Sequence, residues 1–308
     1  MLYLNDLVSH VAPGRKSVQD LAEELLLSPQ DVSVFRTVFG LRQIAVVEDG
    51  GIFELLDKAL EKIVSSMSVD IQQIKYIFHC HAAPCVCPSG GDLIGALKKK
   101  HGLQHAVSVG LAQDQCATPL TALHLADVLL HDEDDDAKVL LLTGEVGFDA
   151  RLRLIPNTTI IGDASAACLV GKQGDRNTVL AVAQRKFEHA SIQPTTSFIP
   201  VPATSYGDDL IQVVREVLNQ ASLSIEQLSL ILIHNVNSIS WKFFARNFPC
   251  PIGLIYLDNV ARTGHCFTSD PFMNYCDALE AGRLKEGDYF MMVSVGTSST
   301  FAAVVLKH

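Results

Sequence analysis

The sequence predicts an α/β protein built around a mixed or parallel central sheet. Two observations lead there. Apolar runs of strand length alternate with amphipathic stretches of helix length, and the second part of the chain repeats the style of the first. The material for a large core is present: 48% of the 308 residues are hydrophobic and only 19% are charged.

IKYIFHCHA (74–82) reads as a buried strand and GDLIGALKKKHG (91–102) as a helix with a basic outer face. HAVSVGL (105–111) reads as a strand and CATPLTALHLADVLL (116–130) as a helix. AKVLLLTGEV (137–146) and ASAACLVGK (164–172) read as buried strands. The acidic run HDEDDD (131–136) reads as a solvated loop between helix and strand. DDLIQVVREVLNQA (208–221) is an amphipathic helix, LSLILIHNV (228–236) a strand and SWKFFARNF (240–248) a helix. Residues 274–296 give helix, loop and strand, and TFAAVVLKH closes the chain. The polar, turn-rich GKQGDRN (171–177) marks the boundary between two halves, 1–172 and 173–308.

The charge balance is acidic, 24 Lys plus Arg against 34 Asp plus Glu. That disfavours broad nucleic-acid binding. No apolar run reaches the roughly 18 residues of a membrane helix. The N-terminus MLYLNDLVSHVAPGRK does not read as a signal peptide. Eight cysteines show no framework spacing and read as reduced thiols, which points to the cytoplasm.

Three residues are candidates for chemistry. Cys116 opens a helical pattern, with Pro119 tolerated in the first turn. A helix N-terminus favours negative charge, and the thiolate is the nucleophilic form of cysteine, so Cys116 suits attack on a thioester. His234 follows the apolar run LSLILI, where a residue can point into a crevice, and Asn237 can orient a neighbouring group. His265 follows Gly264, which permits an unusual turn, and Ser269-Asp270-Pro271 reads as the cap of the next helix. Each also has an ordinary structural explanation. His79, Cys80, His81, Cys85 and Cys87 are the residue types that bind zinc. Residues 79 and 81 share one face of a strand with 80 opposite, so no metal site is assigned. Trp241, the single tryptophan, is expected to pack near the site.

The order Asp-x-Cys-Ala, then Gly162 to Val170 (GDASAACLV), then Ile-His-Asn-x-Asn (233–237), then Gly264-His265 resembles the thiolase-fold condensing enzymes. The nearest branch is similar to the β-ketoacyl-acyl-carrier-protein synthase III group. Gly40-Leu41-Arg42, Pro84 to Ser89, Gly144-Glu145-Val146 and the turn led by Gly296 extend the resemblance over most of the chain.

The resemblance implies a duplicated, thiolase-like, five-layered αβαβα fold with the active site between the halves. Cys116 would be the acylated nucleophile, and His234 and His265 the catalytic histidines. The backbone amides of Cys116 and Ser298 would form the oxyanion hole. His265 stands where the branch carries asparagine, which keeps a hydrogen-bond donor at that position. The tryptophan and arginine that clamp coenzyme A are replaced around Val34, Phe35 and Val38. The carrier-docking arginine aligns with Ile239, with Lys242 and Arg246 as substitutes about one and two turns on. Cys87 replaces a phenylalanine that reaches into the partner's acyl pocket, so a longer or wider pocket and faster acylation by medium-chain thioesters are expected.

The implied function is acylation of Cys116 by a coenzyme A or acyl-carrier-protein thioester, followed by decarboxylative Claisen condensation with a malonyl thioester in specialised fatty-acid or polyketide-type metabolism. Acyl transfer to an oxygen or nitrogen nucleophile without decarboxylation stays open, as does a non-catalytic subunit of a heterodimer. No cofactor beyond the thioester substrate is expected. A homodimer is implied, with no nucleic-acid or membrane partner.

Overall fold

The computed structural model describes residues 1–49, 51–66, 70–83, 86, 90–187, 206–297 and 299–308. Ten strands join in one mixed sheet. In chain order the first five are β1 (Tyr3–Val11), β2 (Ile74–Cys80), β3 (Val107–Leu111), β4 (Lys138–Glu145) and β5 (Ala164–Gly171). The second five are β6 (Thr178–Lys186), β7 (Leu228–Leu232), β8 (Ile255–Tyr256), β9 (Tyr289–Gly296) and β10 (Thr300–Lys307). The spatial order is β8-β7-β9-β10-β6-β1-β5-β4-β2-β3. Counted from the outer edge, each set of five runs third, second, fourth, fifth, first. The pairing signs repeat as well. The second strand pairs in parallel with the third and fourth, and the fifth pairs antiparallel with the fourth and first. The sets meet where Tyr3 pairs with Thr178.

Helices complete five layers. The principal ones are α1 (Pro29–Thr37), α2 (Gly51–Ser66), α3 (Leu93–His101), α4 (Thr118–His131), α5 (Tyr206–Gln220), α6 (Ser238–Asn247) and α7 (Asp270–Glu280). α2 covers the outer face of β1, β4 and β5 and carries α3, while α5 covers β6 and β10 and carries α6. α4 and α7 lie between the two sets of strands and touch both. The sequence explains the layering. On α5 the apolar residues Leu210, Val213, Val214, Val217 and Leu218 form a single buried stripe, as a helix covered on one side requires. β4 and β5 are buried along their whole lengths, as strands covered on both faces must be, and so their sequences are continuous apolar runs.

Two expected elements differ in a way that shapes the site. The strand expected over 228–236 ends at Leu232. After the His234 amide bonds the Val293 carbonyl at 3.1 Å, the chain leaves the ladder as a buried loop, and Asn235 turns its side-chain amide to Asp270 and Asn274. The helix expected from residue 116 begins at Thr118, and Cys116 lies in a preceding 3-10 turn, Gln115–Ala117. The sequence reading leaves β1 and α2 unassigned. In β1 the polar Asn5, Asp6, Ser9 and His10 break the apolar run. Among the described residues no helix is long and apolar enough to cross a membrane.

Candidate active site

Cys116 is held by a tight turn. Gln115 adopts φ +52°, a left-handed conformation that costs a side-chain-bearing residue about 1 kcal/mol or more. The turn is tied down from several sides. The Asp114 carboxylate accepts from the Thr121 hydroxyl at 2.8 Å and the Gln184 amide at 3.1 Å. The Ser294 hydroxyl donates to the Cys116 carbonyl at 2.7 Å. β9 passes so close that a Cβ on Gly296 would lie 2.3 Å from the Asp114 carbonyl oxygen. Only glycine fits there.

His265 approaches from the other half. Gly264 at φ +73° turns the chain, and the His265 backbone then bonds Ile160 and Gly162 at 3.2 and 2.9 Å. This brings the imidazole Nε2 to 3.2 Å from the Cys116 sulfur. The other ring nitrogen, Nδ1, lies 2.5 Å from the Asp270 carboxylate. Asp270 is completely buried and also accepts from the backbone amide of Cys266 at 2.8 Å and the side-chain amide of Asn235 at 3.0 Å. Asn274 holds Asn235 in turn at 2.9 Å. Burial opposes charge on His265, but the Cys116 sulfur and the Asp270 carboxylate outweigh it and raise the imidazole to about 10. The result is a contiguous relay of sulfur, imidazole and carboxylate.

His234 lies beside the relay, its ring centroid 5.8 Å from that of His265. Burial and the His265 charge hold it well below the usual imidazole range, so it is neutral. The Trp241 indole donates to the His234 carbonyl at 3.1 Å and packs edge-on to its ring. The tryptophan therefore sits near the site, as expected.

A cavity of about 80 Å³ reaches Cys116, with apolar walls from Ala82, Ala83, Leu152, Leu154, Ile155 and Phe267. The buried Glu145 fixes one wall by accepting from the backbone amides of Ala82 and Ala83 at 2.8 and 2.6 Å. Burial pushes its carboxyl up to about 7, against the pull of those two amides.

The remaining sequence candidates are placed as follows. Asn237 caps α6 by accepting from the Ser240 amide at 2.8 Å, and it donates to the Thr158 carbonyl at 3.0 Å. Each end of its amide makes one bond within the scaffold. Lys242 and Arg246 are exposed on α6, next to the exposed Ile239 and Phe243. Cys87 and Ser298 lie outside the described residues, as does Cys85. Among the described residues no group of three or more His, Cys, Asp or Glu is arranged to hold a metal. The His81 ring instead bonds the Ala83 carbonyl at 2.8 Å.

Sequence reasoning missed Asp270 as a member of the relay, and it missed Asn235 and Glu145. The signal for Asp270 was available, since it lies five residues after His265, but Ser-Asp-Pro also reads as a helix start.

Comparison with known proteins shows what the chain is similar to. Residues 218–308 match the family described as 3-oxoacyl-[acyl-carrier-protein (ACP)] synthase III C terminal. The β-ketoacyl-[acyl-carrier-protein] synthase III of Aquifex aeolicus is 21% identical over 279 residues, covering 87% of this chain and 88% of that protein. The fold matches the acyltransferase ChlB3 with TM-score 0.85 at 16% identity, over 99% of this chain and 97% of the other. It matches the synthase III of Thermus thermophilus with TM-score 0.81 at 20% identity, over 99% of both chains. It also matches Xanthomonas campestris OleA, seen with lauric acid and lauroyl-CoA bound, with TM-score 0.81 at 14% identity over 100% and 99%. By its C-terminal match, its relatives and its fold, the chain is similar to the β-ketoacyl-acyl-carrier-protein synthase III enzymes and shares their fold.

Proposed function

We propose that the protein takes an acyl group from a thioester onto Cys116 and passes it to an O–H or N–H acceptor, with His265 as general base and Asp270 orienting it. The observation that carries this reading is the relay itself, 3.2 Å from sulfur to imidazole and 2.5 Å from imidazole to a fully buried carboxylate. The Cys116 thiolate attacks the thioester carbonyl, and the His265 imidazolium gives its proton to the departing thiolate. His265 is then neutral. Asp270 holds its Nδ1–H, which leaves Nε2 free to take the acceptor's proton. The acceptor attacks the acyl carbon, the bond to Cys116 breaks, and the thiolate–imidazolium pair returns. The acyltransferase ChlB3, with the same fold, supports this reading.

Decarboxylative condensation with a malonyl thioester is the second reading, and His234 favours it. A neutral buried imidazole next to His265 offers a donor for an enolate. The relay ranks it second, because a neutral His265 bonded to Asp270 through Nδ1–H presents a lone pair, not a proton, at Nε2.

In this reading the two halves are 1–172 and 173–308, in line with the repeated strand order. The donor is a coenzyme A or carrier-protein thioester, and Lys242 and Arg246 are the carrier-docking residues. The active assembly is a homodimer. The cavity beside the sulfur has mainly apolar walls, which suit an acyl chain.

The test is intact-mass measurement after exposure to acetyl- through octanoyl-coenzyme A, with Cys116→Ala as control. Wild type gains one acyl group and the variant gains none. Acylated protein is then offered malonyl-coenzyme A. Carbon dioxide release with a carbon–carbon product selects the second reading. A Cys116 that takes up no acyl group rejects both and leaves the non-catalytic subunit.

A further inference from the structure

We propose that Tyr206, paired with His234, is the residue that hydrogen-bonds the incoming acceptor and orients its nucleophilic oxygen or nitrogen toward the acyl carbon on Cys116. This rests on the two-step acyl-transfer reading and names where its second substrate is held.

Tyr206 opens α5 and packs on Phe301 of β10, with centroids 5.4 Å apart at 55°. That contact fixes the ring and directs its hydroxyl inward, to 3.4 Å from Nε2 of His234. Burial and the charge of the Cys116 sulfur both keep the phenol protonated. Tyr206 is therefore a hydrogen-bonding group and not a base.

The relay of Cys116, His265 and Asp270 uses neither Tyr206 nor His234. His234 is 2% exposed and neutral. The bond from Tyr206 is at the long end of the range, as catalytic contacts often are before substrate arrives.

The surroundings divide the site into two sides. The cavity at Cys116 is walled mainly by apolar side chains suited to an acyl chain, and neither Tyr206 nor His234 lines it. The polar pair lies on the His265 side of the sulfur, outside that acyl cavity. An acceptor hydroxyl or amine placed there bonds to the Tyr206 hydroxyl and loses its own proton to Nε2 of His265. Its new bond forms to the acyl carbon as the bond to sulfur breaks. Tyr206 keeps its proton throughout.

The test uses Tyr206→Phe, which keeps the packing on Phe301 and removes one oxygen. Acylation by butyryl-coenzyme A and discharge of the acyl-enzyme to water and to ethanolamine are followed separately by intact mass. The expected result is acylation within threefold of wild type and discharge slowed at least tenfold. His234→Asn is expected to slow the same step, and the double variant to lose less than the product of the two single losses. Equal slowing of both steps overturns the proposal, as does wild-type discharge in Tyr206→Phe. A wild-type acyl-enzyme that discharges no faster than butyryl-coenzyme A itself hydrolyses also overturns it. If wild type is never acylated, the two-step reading falls with it. If wild type turns over and only the Tyr206 expectation fails, the two-step reading stands.

Discussion

Replacing Asp270 by asparagine isolates the carboxylate end of the relay. The side chain keeps its shape but loses its charge, and an amide group replaces one of two oxygens that both face donors. Those donors are Nδ1 of His265 at 2.5 Å, the Cys266 amide at 2.8 Å and the Asn235 side chain at 3.0 Å. With Asp270 at 0% and His265 at 1% exposure, the pair is of the buried kind, for which removing one partner costs about 3–5 kcal/mol. At about 1.4 kcal/mol per decade, that is roughly two to nearly four decades in rate if the cost falls on the transition state. A comparable Asp→Asn change in a Ser-His-Asp triad costs about four decades, through the wrong imidazole tautomer. The assay is single-turnover acyl transfer, acylation and discharge measured apart, across pH. Since Asp270 raises the His265 imidazole, its loss must move the acid limb of the discharge step to lower pH. Discharge in Asp270→Asn within a few fold of wild type, with an unmoved pH limb, would refute the relay.

Three further outcomes are expected. Gly296→Ala forces a Cβ to within 2.3 Å of the Asp114 carbonyl, so the Cys116 turn shifts at a cost of about 1–3 kcal/mol. Acylation is lost and the thermal midpoint drops by several degrees, and an active, equally stable variant would contradict the packing argument. Glu145 titrates near 7 when folded against 4.5 free. Between those values the folded state keeps a proton the unfolded chain has released, so this group's contribution to stability falls as pH rises through that window. Urea unfolding at about pH 4.5 and pH 8 should show wild type losing about 2–4 kcal/mol relative to Glu145→Gln, and an equal difference at both pH values would rule this out. Charge reversal of Lys242 and Arg246 together should raise KM for a carrier-protein donor severalfold and leave coenzyme A donors unchanged. Equal effects on both donors would remove these residues from docking.

The chain by itself determined the strand and helix pattern, because a strand covered on both faces must be a continuous apolar run and a helix covered on one side must carry a stripe. β4, β5 and α5 are legible for that reason. It also named Cys116, His234 and His265, because their order along the chain resembles a family pattern. The tertiary structure alone decided what these residues face. Ser269-Asp270-Pro271 has the composition of a helix cap, and nothing local says that Asp270 turns to His265. That contact exists because the loop at Asn235, 35 residues earlier, leaves the sheet and supplies amide donors to the same carboxylate. Asn237, in the same motif, caps α6 through the Ser240 amide, and nothing local shows that either. Tyr206 carries no local signal at all. Its hydroxyl reaches His234 only because α5 packs across β6 and β10. Burial patterns are properties of short segments, whereas a catalytic geometry is a set of distances between segments far apart in the chain, and packing fixes those distances.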